Sequence, residues 1–209
     1  MIIDPKKHHY KEIYKLLIGS IVPRPIALVS SISADGIPNL APFSFFNGVC
    51  SNPPIILFST VVREGGRAKD TLSNIEATRE FVVNIVSEDF TDKMNACSAD
   101  YPPEVDEFLV TGLTPVKSDI VRPARVKESR VSMECRLARI VTFGEGRAGN
   151  GSTIFGEVAL FHVAGEVIDN FRIDPRALKP VGRMGGPQYV RVTDIFEMPR
   201  PETPGRNSS

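Results

Sequence analysis

The stretch KDT, which begins at Lys69, combines a cation, a carboxylate and a hydroxyl just before a segment with helical periodicity. The start of a helix exposes unpaired backbone N–H groups and a partial positive charge, so Lys69 and Thr71 suit a phosphate group there. Arg63 and Arg67, in the preceding glycine-bearing loop, would add positive charge. A simpler interpretation also stands, in which Asp70 or Thr71 caps the first turn and Lys69 is solvated.

A second candidate surface is the segment PNLAPFSFFNGVCSNPP, residues 38–54, which mixes phenylalanines with prolines and small polar residues. A strand that serves only for packing would alternate cleanly between apolar and polar side chains. Here Phe43, Ser44 and Asn47 are interleaved instead. The pattern indicates a shaped surface against which a ligand lies.

The glycine-rich stretch GEGRAG, residues 144–149, matches the GxGxxG pattern, and Asp169 follows near the spacing of a dinucleotide fingerprint. That fingerprint requires a helix to begin at its last glycine, so that the helix start faces a pyrophosphate. The residues that follow, NGSTIFGEVALFHV, have the composition of a strand. The sequence therefore predicts the tip of a mobile hairpin and not a nucleotide site.

Histidines and cysteines form no pattern of metal ligands or of a catalytic dyad in the sequence. His162 lies inside an apolar segment, where a lone histidine is usually a hydrogen-bonded structural residue. Cys50, Cys97 and Cys135 are far apart, which predicts no disulfide, no metal site, and three small buried apolar side chains. If the protein is an enzyme, a cofactor therefore carries its chemistry.

Composition places the 209-residue chain among ordinary globular proteins, with 42% hydrophobic and 24% charged residues. Lys plus Arg and Asp plus Glu number 25 each, so the chain lacks the basic excess of nucleic-acid-binding proteins. No apolar run approaches the ~20 residues of a membrane span, and the first residues lack the features of a signal peptide. We expect a cytoplasmic protein with no nucleic-acid or membrane partner.

Strand patterns predominate along the chain. A hairpin with the turn ADG, a buried strand at 54–60, a strand at 81–86 and a long hairpin of 130–143 with 153–168 are predicted. Helices are predicted over 10–17 (ended by Gly19), 68–80 and 88–100. The fold class is mainly β with helical insertions, a closed or nearly closed barrel. Residues 1–198 form one domain, and residues 199–209 are a disordered tail.

The chain resembles the flavin reductase-like family, which has the FMN-binding split-barrel fold. The resemblance runs from about residue 19 to residue 192, and two stretches carry it in a characteristic order: VPRPIALVSSISADGIPNLAPFSFFNGVCSNPPIILFST and KDTLSNIEATREFVVNIV. The family includes NAD(P)H-dependent flavin reductases, reductase components of two-component monooxygenases, and flavin-carrying electron-transfer proteins.

The resemblance implies a homodimer with FMN at or near the subunit interface. In it, residues 40–47 line the isoalloxazine, with Pro42 and Phe43 as apolar walls and with backbone amides, the Ser44 hydroxyl and Asn47 at the polar ring edge. Ribityl and phosphate contacts fall to Ser59, Thr60, Lys69 and Thr71. The resemblance places Arg183 and Tyr189, from this chain or from its partner, at the far side of the pocket. His162 would face the outer side of the flavin, where a nicotinamide stacks.

The implied activity is transfer of hydride from NADH or NADPH to flavin N5, with an oxygenase or another acceptor taking the electrons. One alternative is an electron-transfer flavoprotein that serves a partner protein and has no nicotinamide site of its own. Another is a barrel that has lost its flavin and serves as a structural dimer. Residues 100–129 either cover the pocket or pack outside the barrel, and the sequence leaves both open.

Overall fold

The computed structural model describes residues 1–62, 64–66 and 68–201. Its helices are α1 (Tyr10–Ser20), α2 (Asp70–Thr78), α3 (Thr91–Ala96), α4 (Glu107–Thr111) and α5 (Pro175–Leu178). The first strands are β1 (Ala27–Ile32), β2 (Pro38–Phe43), β3 (Phe46–Ser51), β4 (Pro54–Val61), β5 (Glu80–Ile85), β6 (Pro115–Val116) and β7 (Arg125–Val126). The remaining strands are β8 (Val131–Phe143), β9 (Gly151–Val163), β10 (Ile168–Asp169), β11 (Arg172–Ile173), β12 (Val181–Arg183) and β13 (Tyr189–Arg191). The prediction of a mainly β fold with helical insertions is confirmed.

The long strands form one seven-stranded antiparallel sheet in the order β2-β1-β5-β8-β9-β4-β3. The predicted β1–β2 hairpin turns at Gly36, whose φ of +88° is a backbone conformation that glycine adopts without strain. Beyond β2, the Ser59 N–H donates to the Phe45 carbonyl at 2.9 Å and so joins this segment to β4. The sheet therefore curls into a barrel that stays open beside β2.

The barrel interior holds an apolar core to which most of the strands and α2 contribute. Phe58, Phe81, Ile75 and Ile154 are fully buried in it. The strand alternation of β4 and β9 places every second side chain here, as expected for a half-buried sheet. Packing is close: a Cβ on Gly156 would lie 2.2 Å from the Phe81 ring. A larger residue at position 156 would therefore displace that ring.

A second apolar cluster covers the outer face of the sheet. It joins Leu28 and Leu40 of the sheet to Phe90, Met94 and Phe108 from the chain segments around α3 and α4. Residues 100–129 thus pack outside the barrel for most of their length. Burial of such side chains contributes about 25 cal/mol per Å² of apolar surface, so this layer stabilises the whole sheet.

Three local predictions are wrong in extent. α1 continues through Gly19 to Ser20, because glycine in a helix lowers stability but does not end it. The predicted second strand of the hairpin breaks after Phe43, and a new strand starts at Phe46. The helix predicted over 88–100 is an α-helix only from Thr91 to Ala96, after a 3-10 turn.

The two ends of the long hairpin and of the chain complete the description. β9 starts directly after GEGRAGN, which confirms that the glycine-rich stretch is a hairpin tip. Of the predicted tail, residues 199–201 are exposed and residues 202–209 lie outside the described residues. None of the described helices has the length and apolar character needed to cross a membrane.

Candidate functional site

Three depressions adjoin one another where the chain leaves β2. The lysine cavity, of about 180 Å³, is lined by residues that include Asn39, Pro42, Phe43, Lys69, Thr71 and Glu107. The arginine cavity, of about 190 Å³, is lined by residues that include Tyr14, Pro42, Ser44, Asn95, Arg183 and Tyr189. The helix groove, of about 650 Å³, is lined by residues that include Tyr10, Ile13, Tyr14, Leu17, Phe45 and Lys69. Shared lining residues make the three depressions one continuous surface, in the size range of a small-molecule site.

The start of α2 borders the lysine cavity. Lys69 is the N-cap residue of this nine-residue helix and makes no side-chain cap hydrogen bond within the described part of the chain, so the predicted cap by Asp70 or Thr71 is wrong. Thr71 is buried, and its Oγ1 accepts a hydrogen bond from Asn39 Nδ2 at 2.9 Å. Lys69 Nζ lies 3.9 Å from a carboxylate oxygen of Asp100. The helix start and the Lys69 ammonium together favour an anionic group here.

β2 is an edge strand, and its outer edge offers carbonyls in place of amides. The N–H of Leu40 points away from β1 and donates to Glu107 Oε2 at 2.9 Å. Strand alternation gives Pro38 and Pro42 the same outward direction, and proline has no N–H. Between Leu40 and Phe43 the backbone amides are absent, bonded to Glu107 or directed toward β1, so the expected amide contacts with a ligand rest on residues 44–47. Outward carbonyls, which accept hydrogen bonds, line this edge.

The far wall of the arginine cavity comes from the β12–β13 hairpin of the same chain. The Arg183 guanidinium lies 4.4 Å from the centroid of the Tyr189 ring and donates to the Gly186 carbonyl at 2.7 Å. The Tyr189 hydroxyl donates to Asn95 Oδ1 at 3.1 Å. Both side chains therefore line the same cavity as Ser44 within one chain.

The other predicted contact residues take different positions. The Phe43 ring packs against Phe58, with ring centroids 4.9 Å apart, and so belongs to the core as well as to the cavity wall. Asn47 is exposed on β3 and accepts a hydrogen bond from the Gly48 N–H. Ser59 and Thr60 direct their hydroxyls to Thr153 and Ser152 of β9, at 2.9 and 3.5 Å.

His162 lies on a different part of the sheet from the cavities. Register pairs lead from Pro42 to Leu28, Asn84, Ser132 and then His162. Four strand spacings of about 4.8 Å separate its backbone from Pro42, roughly 19 Å along the sheet. Within one chain, His162 is not among the residues that line the three depressions, and its place beside the flavin of a bound complex stays a prediction.

His162 instead belongs to a cluster around Glu134, whose side chain is fully buried. The two carboxylate oxygens of Glu134 accept hydrogen bonds from the N–H groups of Asp119, Ile120 and Val121, at 2.8 to 3.2 Å, and His162 Nε2 lies 2.6 Å away. Burial alone would raise the pKa of Glu134, but these N–H donors and His162 hold it below its usual value.

The Glu134 cluster is also a grouping of potential metal ligands, since oxygens of Asp119 and Glu134 and a nitrogen of His162 lie within 4.8 Å of one another. Its geometry is that of a hydrogen-bonded ion cluster, because Glu134 is already saturated by N–H donors. Arg125, with Nε 4.0 Å from Glu134, adds a positive charge that opposes a cation. The chemistry of this cluster is therefore structural.

Cysteine chemistry has no support at the site. Cys97 borders the lysine cavity, but burial raises its pKa to about 11, so its thiolate is scarce at neutral pH. Cys97 and Cys135 are buried as predicted, whereas Cys50 is exposed on β3 and corrects that expectation.

Sequence reasoning missed Arg24, Glu107 and Glu134, which hold the surroundings of the site. Arg24 stands between two prolines, Glu107 directly follows Asp106, and Glu134 stands between Met133 and Cys135. A charged residue between apolar neighbours is a signal that would have found Glu134, because such residues are buried only when they are paired. The local sequence gives no such signal for Glu107.

Comparison with known proteins identifies the family. The family model described as "Flavin reductase like domain" matches residues 18–175 of the chain. The chain belongs to the flavin reductase-like family.

Solved structures of other members of this fold agree. The chain is similar to nitrilotriacetate monooxygenase component B from Bacillus cereus, with 38% identity, a TM-score of 0.90, and coverage of 95% of this chain and 98% of that one. It is similar to 2-nitrobenzoate 2-nitroreductase NbaA of Pseudomonas fluorescens, with 32% identity, a TM-score of 0.86, and 96% of each chain covered. A split-barrel protein of Shewanella frigidimarina NCIMB 400, 21% identical, has a TM-score of 0.82 over 96% of this chain and 100% of that one.

These comparisons confirm the resemblance and the split-barrel fold expected from the sequence. Membership of the flavin reductase-like family supports an oxidoreductase that uses a flavin. The surface at Pro42 has the donor set that a flavin needs: a cation and a helix start at one end, apolar walls in the middle, and a hydroxyl and a guanidinium at the other.

Proposed function

We propose that the protein is an NAD(P)H-dependent flavin reductase that binds FMN on the surface formed by the lysine cavity, the arginine cavity and the helix groove. The observation that carries this proposal is the junction at Pro42, where the cavity at the start of α2 and the polar cavity at Arg183 adjoin the same strand end. A single phosphate at one end of a flat ring system matches this arrangement.

The residues divide by the part of the ligand they suit. Lys69 and the start of α2, with Thr71 beside them, would hold the phosphate. Pro42 and Phe43 would provide apolar walls for the ring. Ser44 and Arg183 would contact its polar edges, and Tyr189 holds Arg183 in place. The bound flavin would supply the redox chemistry, while the protein excludes water and aligns the ring.

Three predicted contacts have less geometric support in this proposal. The hydroxyls of Ser59 and Thr60 are engaged with β9, so we assign them support of β4 and not a ligand contact. Asn47 is exposed on β3 and would meet the ligand only across a subunit interface. Arg63 and Arg67, which were expected to add charge near the phosphate, lie outside the described residues.

The proposal includes a homodimer. α1 has no buried residue, and it exposes Tyr14, Leu16 and Leu17 beside the helix groove. β3, the free edge of the sheet beyond β4, carries exposed, uncharged residues along its length. Sedimentation at micromolar concentration should give twice the chain mass of 23.0 kDa. A mass of one chain would contradict the dimer.

A second function is an electron-transfer flavoprotein without its own nicotinamide site. The position of His162 favours it, since the histidine implied for the nicotinamide side lines none of the three depressions in the same chain. Similarity to a monooxygenase component suggests that an oxygenase or another acceptor takes the electrons in either case.

The deciding experiment is the visible spectrum of the purified protein with FMN, before and after anaerobic addition of NADH or NADPH. Flavin bands that bleach within the time of mixing would support the reductase. Bound flavin that stays oxidised with both donors would favour the electron-transfer protein. A colourless protein that also fails to bind added FMN in a titration would contradict both functions.

A further inference from the structure

Arg24 is a buried arginine whose guanidinium holds together three walls of the arginine cavity. Its Nη1 donates to the carbonyls of Ile18 and Ile21 at the end of α1, at 2.8 and 2.6 Å. Its Nη2 donates to the Met184 carbonyl, in the β12–β13 hairpin, at 2.9 Å. Its Nε lies 3.3 Å from Ser44 Oγ. Only 4% of Arg24 is exposed, so these contacts are protected from water.

The contact with Ser44 has a fixed direction. A guanidinium carries N–H donors and no acceptor, so Ser44 Oγ must accept from Arg24. A hydroxyl that accepts one hydrogen bond still has its own proton to donate. In the described residues, the contact with Arg24 is the hydrogen bond found at this hydroxyl. The Ser44 proton is therefore available to the arginine cavity, which Ser44 lines.

The neighbouring edge of β2 offers a ligand few hydrogen-bond donors, so the Ser44 proton matters for binding. Along β2 the outward N–H groups are missing at Pro38 and Pro42 or bonded to Glu107 at Leu40. What the edge offers a ligand is the carbonyls of Leu40 and Pro42, which accept hydrogen bonds. Ser44 follows directly after the end of β2 and adds a hydroxyl donor to the cavity that Pro42 also lines.

We propose that Arg24 is a positioning residue that makes Ser44 an obligate hydrogen-bond donor to a carbonyl oxygen of the bound ring. The ligand class that fits is a cyclic imide, in which a ring N–H is flanked by carbonyl oxygens, because it presents an acceptor for Ser44 next to a donor for Pro42. The isoalloxazine contains such an imide, so this inference rests on the proposed function. It adds the polarity of the contact and the residue that fixes it.

The test measures FMN affinity by quenching of flavin fluorescence, and the midpoint potential of the bound flavin, in Ser44→Ala, Ser44→Thr and Arg24→Lys. Ser44→Ala should weaken binding about fivefold, as expected for one neutral hydrogen bond. It should also make the potential more negative, because a donor to a carbonyl oxygen stabilises the extra charge of the reduced ring. Ser44→Thr, which keeps the hydroxyl, should restore both values.

Ser118→Ala is the control. Ser118 is not among the residues that line the three depressions, and its buried hydroxyl donates to the Pro123 carbonyl at 2.6 Å. Affinity and potential should stay at the wild-type values. A change as large as that of Ser44→Ala would mean that any loss of a hydroxyl disturbs the cavity, and would overturn the assignment.

The role of Arg24 is tested by coupling. If Arg24 acts through Ser44, the double variant of Arg24→Lys with Ser44→Ala should bind FMN no more than about twofold more weakly than Ser44→Ala alone. Additive losses would overturn the proposal. Because Arg24→Lys removes a buried fork of donors and can unfold the chain, Ser44→Asn and Ser44→Asp form a second test. Arg24 would donate to a side-chain oxygen in either variant, and only the asparagine keeps an N–H for the ligand. The Ser44→Asn variant should therefore bind FMN more tightly than the Ser44→Asp variant.

Two further results would count against the inference. Wild-type affinity and potential in Ser44→Ala would show that the Ser44 hydroxyl makes no hydrogen bond to the bound ring. A more positive potential would place Ser44 at an atom that accepts only in the oxidised ring. Failure of the wild-type protein to bind FMN would instead contradict the proposed function, and so the two failures are distinguishable.

Discussion

Two buried charged side chains, Arg24 beside the cavities and Glu134 four strands away, show opposite uses of the same physical device. Each is almost inaccessible to water, and each is held by backbone groups from distant parts of the chain. The partners of Glu134 are the N–H groups of residues 119–121 and the His162 ring, and together they occupy its carboxylate. Arg24 donates one hydrogen bond to the Ser44 hydroxyl, which keeps its own proton for the arginine cavity.

This difference distinguishes a buried charge that stabilises the fold from a buried charge that positions a ligand site. A buried charge contributes to stability only when its partners are complete, and it is costly when one is lost. Glu134 fixes residues 119–121 to β8, whereas Arg24 fixes the walls of a ligand site. Substitutions at the two places should therefore change different measurements: unfolding for Glu134, and ligand binding for the residues around Arg24.

The largest expected effect is on stability, from Glu134→Ala. Removal of the carboxylate leaves the N–H groups of Asp119 and Ile120 without their acceptor and His162 without its partner. Loss of one member of a buried charge cluster costs about 3–5 kcal/mol of unfolding free energy, measured by urea denaturation. Glu157→Ala, on the exposed face of β9, is the control and should cost less than about 0.5 kcal/mol. Equal effects of the two substitutions would contradict the structural role of Glu134.

The same carboxylate makes the fold sensitive to acid. The pKa of Glu134 is lower in the folded chain than in the unfolded one, so its contribution is present above its ordinary value of about 4.3 and is lost as the pH falls through the lower, folded value. Wild-type unfolding free energy should decrease from pH 5 toward pH 3 more steeply than that of Glu134→Ala. Parallel pH profiles would show that another group causes the acid loss.

Binding should respond most to Lys69→Ala. Loss of a hydrogen bond to a charged group weakens FMN binding by roughly 1.5–3 kcal/mol, with little change in the urea midpoint. Lys117→Ala, an exposed lysine outside the cavities, controls for net charge. Wild-type affinity in Lys69→Ala, from the same titration, would remove Lys69 from the site.

The smallest effect should come from Glu107→Gln. Burial, with the negative charges of Asp106 and Asp70, raises the pKa of Glu107, while the N–H of Leu40 opposes the shift. The raised pKa means that stability is full below the unfolded value and is lost as the pH rises through the folded value. A glutamine oxygen can still accept from Leu40, so the variant should be more stable by about 1 kcal/mol at pH 7, and the difference should vanish near pH 4. A destabilised variant at pH 7 would show that the charge itself is needed.

Much of the fold could be predicted from local sequence. The apolar runs of β4 and β5, the turn before Gly36 and the long β8–β9 hairpin follow from alternation and turn residues, and the strand character after residue 150 correctly excluded a nucleotide fingerprint. The position of Pro42, Ser44 and Lys69 around one surface followed from the family resemblance. Local patterns contain this information because each depends on neighbours in the chain.

The remainder depends on contacts between distant residues. Arg24 meets Met184 across 160 positions, and nothing near either residue in the sequence indicates the pair. The cap of α2 was wrong because Thr71 is drawn into a hydrogen bond with Asn39 of β2. The strand order that separates His162 of β9 from Pro42 of β2 is likewise a property of the whole sheet.

The two edges of the sheet also limit how copies of the chain can assemble. The β2 edge cannot be extended by another strand, because prolines and Glu107 leave it without N–H donors. Of the two edges of the seven-stranded sheet, β3, at the opposite side, is the one with which a strand of another chain can pair. If two β3 strands pair around a two-fold axis, neither β3 edge stays free. Growth by strand addition to this sheet would then stop at two copies and not continue into a fibre.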